Sequence, residues 1–261
     1  MRSADRFSPM RLWAQSAGLV FAVALSPGPS ASAGVLDAPA TNVVGEVSAQ
    51  VAGITNLRCV VRREVPLPDG RVASMVSKVD WARGDRLHVE TTSPETVRTV
   101  IDGKTVVRIR PGGRTETPLG EQTPGQAANL RSVPGSAEEY LSMFDPLSAL
   151  DLPDSGELCA RRVAFAPAAD GEGGKERRAV VSFDEAGRIL RIEFFADAER
   201  ARLLSILRFE APVEPLPGAF LYRRIEAESP REGLLVRTLS RFDSIRVNQD
   251  LPCGLFDPSA Y

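Results

Sequence analysis

The chain is short of the residues from which most catalytic and metal-binding sites are built. Its 261 residues include one histidine, His88, and three cysteines. One imidazole cannot supply a multi-histidine metal site, and a Ser-His-Asp triad has a single candidate base. Cys59, Cys159 and Cys253 are far apart and no CxxC pair occurs, so a metal ribbon or a thioredoxin-type centre has no support. A P-loop, a dinucleotide fingerprint and a G-x-S-x-G elbow are all missing. Carboxylates are plentiful, but no spacing singles out a pair for hydrolysis. The formal net charge is −2 with no Lys/Arg block, which argues against a nucleic-acid partner. No apolar run reaches the roughly 20 residues that a membrane span needs. The sequence therefore leads us to expect no catalytic residues, no metal and no cofactor.

The N-terminus is more informative. Arg2, Arg6 and Arg11 precede the apolar run Ala17–Leu25; Pro27 and Pro29 follow, and Ala31-Ser32-Ala33 gives a small-x-small cleavage pattern. Residues 1–33 read as a secretory signal peptide, and residues 34–261 as a single exported, periplasmic domain with no membrane span after cleavage. The segment removed carries three arginines and one aspartate, so the net charge moves from −2 to −4. In an oxidising compartment one disulfide and one spare thiol are expected, with all three pairings open.

Three blocks follow. Asp37 and Pro39 suit a helix start, and Ala40, Val44, Val47, Val51 and Ile54 fall on one face of a 3.6-residue period. Gly45 and Gly53 weaken this helix, so packing on a sheet must hold it. From Leu57 to Pro111 the pattern alternates between the turn signals Pro68-Asp69-Gly70 and Asp102-Gly103. This alternation sets Leu87 and Val89 on one face of a strand. Arg86, His88 and Glu90 lie on the other, which reads as solvated. After the Asp-Gly turn, Val107 and Ile109 oppose Val106, Arg108 and Arg110.

Residues 112–135 interrupt the strands, with room for a short helix around Gln126–Leu130. Ser136-Ala137-Glu138-Glu139 then forms a capping box opening a helix through Phe144, after which Asp145-Pro146 can start another turn through Leu147 and Leu150. From Cys159 to Val247 the sequence returns to strands, at 179–183, 189–195, 203–209, 220–225 and 234–247. The last is long enough for two strands or one strongly curved one. The sum is an α+β fold: a curved antiparallel sheet with helices on its concave side.

Trp81-Ala82-Arg83, Ser93-Pro94-Glu95 and Val100-Ile101-Asp102-Gly103-Lys104-Thr105-Val106-Val107 together resemble the central hairpin of LolA, the periplasmic outer-membrane lipoprotein carrier, and its relatives. The closing Asn248–Pro252 and Leu255-Phe256-Asp257-Pro258 resemble that family's final turn. The resemblance implies an unclosed half-barrel with an N-terminal helix and short mid-chain plug helices, binding acyl chains of lipoproteins or another lipid in an apolar cavity. It implies cavity lining by Trp81, Leu87, Val89, Val107 and Ile109, and plug roles for Tyr140, Leu141, Met143 and Phe144. Arg83 becomes the candidate gate residue holding the plug helices shut, although the family's proline beside it is missing. The implied partners are an acylated lipoprotein or lipid and sorting proteins of the inner and outer membranes, with the carrier acting as a monomer. An envelope-stress sensor domain of the same fold is the alternative.

Overall fold

A single antiparallel sheet runs through almost the whole of the computed structural model, which describes residues 43–67, 70–121, 132–141, 144–150, 159–167, 177–231 and 234–261. The leader 1–33, Asp37, Pro39, Ala40, the helix at Gln126–Leu130, Pro68-Asp69, the turn at 171–174 and Met143 lie outside the described residues.

The strands in chain order are β1 (Asn56–Pro66), β2 (Val72–Ala82), β3 (Arg86–Ser93), β4 (Val97–Asp102), β5 (Thr105–Arg110), β6 (Gly113–Pro118), β7 (Phe144–Leu150), β8 (Arg161–Pro167), β9 (Arg178–Phe183), β10 (Ile189–Phe195), β11 (Leu203–Leu216), β12 (Ala219–Arg231) and β13 (Leu234–Val247). Their order across the sheet is β6-β5-β4-β3-β2-β1-β13-β12-β11-β10-β9-β8-β7. Two meanders, an N-terminal wing (β1–β6) and a C-terminal wing (β7–β13), thus join through β1 and β13. The outermost strands, β6 and β7, are not paired with each other, so the barrel is unclosed.

Local chemistry explains the turns and the curvature. At the β4–β5 turn Asp102 Oδ1 accepts from Lys104 N and Thr105 N, both at 2.8 Å, and from Thr105 Oγ1 at 3.1 Å. Gly103 between them has φ +95°, and a Cβ there would stand 3.0 Å from the Gly84 carbonyl, so glycine is required twice over. The pairing of β13 with β1 slips near Ser244, whose φ is +53°. A bulge of this kind bends the strand and sharpens its twist. The 234–247 stretch is accordingly one long curved strand.

Helix α1 (Val43–Ala52) lies on the concave side. Val43, Val47 and Val51, with Ile54 just beyond its end, are buried in one cluster with the strands. The helix therefore survives Gly45 through packing, and Gly53 lies just past its end.

Two expectations change. The 112–135 interruption contains a strand, β6. The mid-chain helix, α2, is only Glu138–Leu141; Phe144, expected to end it, begins β7, with Asp145-Pro146 inside that strand. Pairing with β8 and a 5.7 Å ring contact between Phe144 and Phe194 outweigh the local helix signal. The capping box does not close either: Ser136 Oγ is buried without a hydrogen-bond partner.

Candidate functional site

The concave face gathers buried apolar side chains of both wings into one cluster. Pairing registers define which side chains share it, because directly opposed residues in a sheet point the same way. In the N-terminal wing, Leu57 faces Trp81, Trp81 faces Leu87, Leu87 faces Ile101 and Ile101 faces Val106. In the C-terminal wing the same cluster takes in Phe165, Val181, Ile192, Leu207, Phe209 and Ile225. Both wings thus contribute to one hollow.

The hollow is covered by a thin layer. Residues 132–137 are all buried and lead into α2. Gly135 has φ +78°, its carbonyl accepts from Tyr222 N at 2.9 Å, and a Cβ there would meet the Phe242 ring at 3.3 Å. Tyr140 meets Phe209 edge to face at 5.7 Å, and Leu141 is only 2% exposed. The plug candidates Tyr140, Leu141 and Phe144 therefore sit against the concave cluster, Phe144 from the start of β7.

The candidate lining residues divide between the two faces. Trp81, Leu87 and Val89 belong to the concave cluster, and the buried Trp81 Nε1 has no hydrogen-bond partner. Val107 and Ile109 point the other way: Val107 faces Val100, which faces His88, and Ile109 faces Arg98. The inward residue of that strand is Val106. Alternation alone could not assign these faces, because on β5 the outward side carries Val107 and Ile109 while the inward side carries Val106 followed by Arg108 and Arg110.

Arg83 holds a helix, but the structure places its guanidinium at α1. Nε donates to the Ile54 carbonyl at 2.8 Å, and Nη2 to the carbonyls of Val51 and Ala52, both at 2.9 Å. The last carbonyls of a helix lack partners within it, and a fork of N–H donors satisfies several together. Asn248 completes the cap. Its Oδ1 accepts from Thr55 N at 2.8 Å and its Nδ2 donates to the Gly53 carbonyl at 2.9 Å. Neither partnership carries a sequence signal beyond the family-like Asn248-Gln249-Asp250.

His88 is not on a solvated face; it is 6% exposed. Its ring stacks on Tyr261 at 5.4 Å, and Nδ1 stands 3.4 Å from Asp80 Oδ2. Arg58 also donates to Asp80. Burial opposes ionisation of Asp80, but the hydrogen bonds from His88 and Arg58 outweigh it and hold the carboxyl below its usual range. No metal-binding cluster of His, Cys, Asp and Glu occurs among the described residues.

All three cysteines are free, against the expectation of one disulfide. Cys59 sits in the concave cluster, where burial, helped by the negative charges of Asp80 and Asp243, pushes its thiol up to about 12. A thiol held protonated is a poor nucleophile. The surface does show a cleft of about 760 Å³, but it lies between the end of the sheet and the C-terminal segment, lined by Arg86, Asp102, Asp250 and Asp257 among others. Most of its lining, residues 249–258, is the closing segment itself.

No family model and no curated protein matches the sequence. Solved structures do match the fold. A LolA superfamily protein of Nitrosomonas europaea superimposes with a TM-score of 0.59 at 14% identity, covering 85% of this chain and 99% of that one. An outer membrane lipoprotein-sorting protein domain from Vibrio parahaemolyticus gives 0.61 at 14% identity, over 85% and 97%. A DUF1329 family protein from Desulfovibrio piger gives 0.61 at 14%, over 85% and 98%. The chain has the LolA-like fold: an unclosed, curved antiparallel sheet with its helices on the concave side.

Proposed function

We propose that the protein is an exported, non-enzymatic carrier that binds the acyl chains of a lipid or lipoprotein in its concave hollow. One observation carries the reading. The concave cluster, lined from both wings, is covered by α1 and by a ten-residue stretch, 132–141, whose only regular element is one turn of helix. A four-residue helix has little stability of its own and depends on the contacts it makes. Displacing it exchanges one apolar filling for another, and burial of each CH₂ of an acyl chain contributes about 0.8 kcal/mol. On this reading residues 1–33 are the export leader and 34–261 the working domain, which acts as a monomer in the periplasm and passes cargo between membrane-bound sorting partners. Trp81, Leu87 and Val89 would line the site; Tyr140, Leu141 and Phe144 would yield to cargo. Arg83, with Asn248, would keep α1 fixed while the plug moves.

Native mass spectrometry of residues 34–261, purified from a periplasm without detergent, tests this. The expected result is a bound phospholipid or acylated peptide at defined stoichiometry, lost in Leu141→Asp while the sheet's circular dichroism is kept. A ligand-free mass, with no uptake of an added acylated peptide, would sink the carrier reading and leave a sensor domain of the same fold.

A further inference from the structure

Among the described residues, the inward face of the N-terminal wing carries two neighbouring arginines on β5. Val106, Arg108 and Arg110 alternate along β5 on the same side, and Val106 belongs to the concave cluster. The two steps beyond it along the inward face are therefore arginines, both half-buried. Arg108 is opposed by Thr99 on β4 and Thr115 on β6. Followed through the pairing registers, the inward positions of β1–β6 carry no carboxylate among the described residues.

The outer face of the same wing treats its arginines differently: Arg98 meets Glu90 at 3.1 Å and Arg58 meets Asp80. Inside, Arg108 faces no carboxylate among the described residues; its Nε is buried without a hydrogen bond, as is that of Arg98 outside, but Arg98 still has Glu90 for its Nη2. Burial, and then the like charge of Arg110, depresses the pKa of Arg108. An arginine serving only to cover apolar surface would carry its head out into water.

We propose that Arg108 and Arg110 form a cationic subsite for the anionic oxyacid head, phosphate or carboxylate, of a long-chain amphiphile whose tail lies on Val106, Leu87 and Val89. This rests on the carrier reading above and narrows its cargo. The planar guanidinium fork suits a phosphate or carboxylate, and an anion placed there relieves the repulsion between the two arginines. The ordering along β5, apolar at Val106 and cationic at Arg108 and Arg110, matches tail and head.

The test compares hexadecyl phosphate, hexadecanoate, neutral monopalmitoylglycerol and inorganic phosphate by calorimetric titration. Three proteins are used: the wild type, Arg108→Gln/Arg110→Gln and Arg108→Lys/Arg110→Lys. We expect the wild type to prefer the anionic amphiphiles over the neutral one by about tenfold or more. The glutamine pair should erase that preference without weakening the neutral ligand, and the lysine pair should restore much of it. Equal binding of neutral and anionic amphiphiles by the wild type overturns the subsite while leaving the carrier intact. Equal weakening of both by the glutamine pair overturns it too, since the arginines would then only pack. Inorganic phosphate competing at the amphiphile's own concentration would make this a free-anion site and also overturn the proposal. If no long-chain ligand binds the wild type, the carrier reading itself fails. Should the glutamine pair unfold, Arg110→Gln alone reads the same ratio.

Discussion

The two wings share one concave core but finish their outer faces by different means. In the N-terminal wing Val100 and Val107 are completely buried although they point away from the hollow. The C-terminal segment shields this face. Tyr261 stacks on His88 and lies under Arg98 at 4.5 Å, Arg86 stands 5.6 Å from the Phe256 ring, and Arg114 donates to the Pro258 carbonyl at 3.2 Å. The C-terminal wing uses charge instead. Arg208, Arg224 and Arg237 interlock with Glu210, Glu226 and Glu228 across three strands, and Arg162 and Arg191 flank Glu193. A sheet with one face on a core must make its other face either covered or polar. With three lysines among 32 basic residues, the chain builds its polar face from arginine. The rigid fork of a guanidinium can bridge two carboxylates of the neighbouring strand, as Arg237 of β13 does between Glu226 and Glu228 of β12.

If this division is right, the shared core should dominate stability and each outer face should matter less and only locally. The largest effect is expected for Phe165→Ala, a fully buried ring of the concave cluster in β8. It should cost about 3–5 kcal/mol in urea unfolding, and a loss no greater than that of the outer-face variants would break the comparison. Next comes deletion of residues 255–261. Uncovering His88, Val100 and Val107 should cost about 2 kcal/mol at ordinary rates of apolar burial. Amide exchange should speed up in β3–β5 and stay unchanged in β11–β13. Equal acceleration in both wings would show that the segment serves the whole sheet rather than one face.

The same contrast explains what could be read from the residues alone. Where one face is dry and the other wet, alternation reveals both: α1 is visible through Val47, Val51 and Ile54, and the β4–β5 hairpin through Asp102-Gly103. Where both faces are dry, alternation is silent. Val106 and Val107 are equally apolar; the pairing registers show that Val107 faces out, on the face where the C-terminal segment ending at Tyr261, more than 150 residues away in sequence, covers the sheet. Burial of His88 has the same remote cause. Phe144 carries a helix signal and a strand signal at once, settled by its partner Phe194. The concave aromatics of the C-terminal wing, Phe165, Phe194, Phe209 and Tyr222, look like ordinary strand residues until the sheet curls and gathers them at the cluster that also holds Trp81. Arg83 is marked by its neighbours as a residue that secures a helix, but a sequence cannot say which one.

The smallest effect sharpens the comparison through pH. Glu228 is buried beneath Arg208 and Arg237. Burial works against its ionised form, yet hydrogen bonds from both arginines prevail and lower its pKa below the ordinary glutamate value. A carboxyl whose folded pKa is depressed stabilises the fold above its unfolded pKa, near 4.3. That contribution drains away as the pH falls through the lower folded value. Glu228→Gln should therefore cost about 1 kcal/mol at neutral pH, modest because Arg208 and Arg237 remain 37% and 61% exposed and are screened by water. The gap to the wild type should close as the pH falls below the ordinary glutamate range. Asp80 has the same sign of shift under the other wing's cover. Salt distinguishes them by degree: added salt should shrink the Glu228→Gln penalty, both of whose arginine partners face water, more than that of Asp80→Asn, whose Arg58 is exposed but whose His88 is covered by Tyr261. Equal salt sensitivity of the two variants would mean that both outer faces are held by the same screened charges, and the distinction between a covered wing and a charged wing would fall.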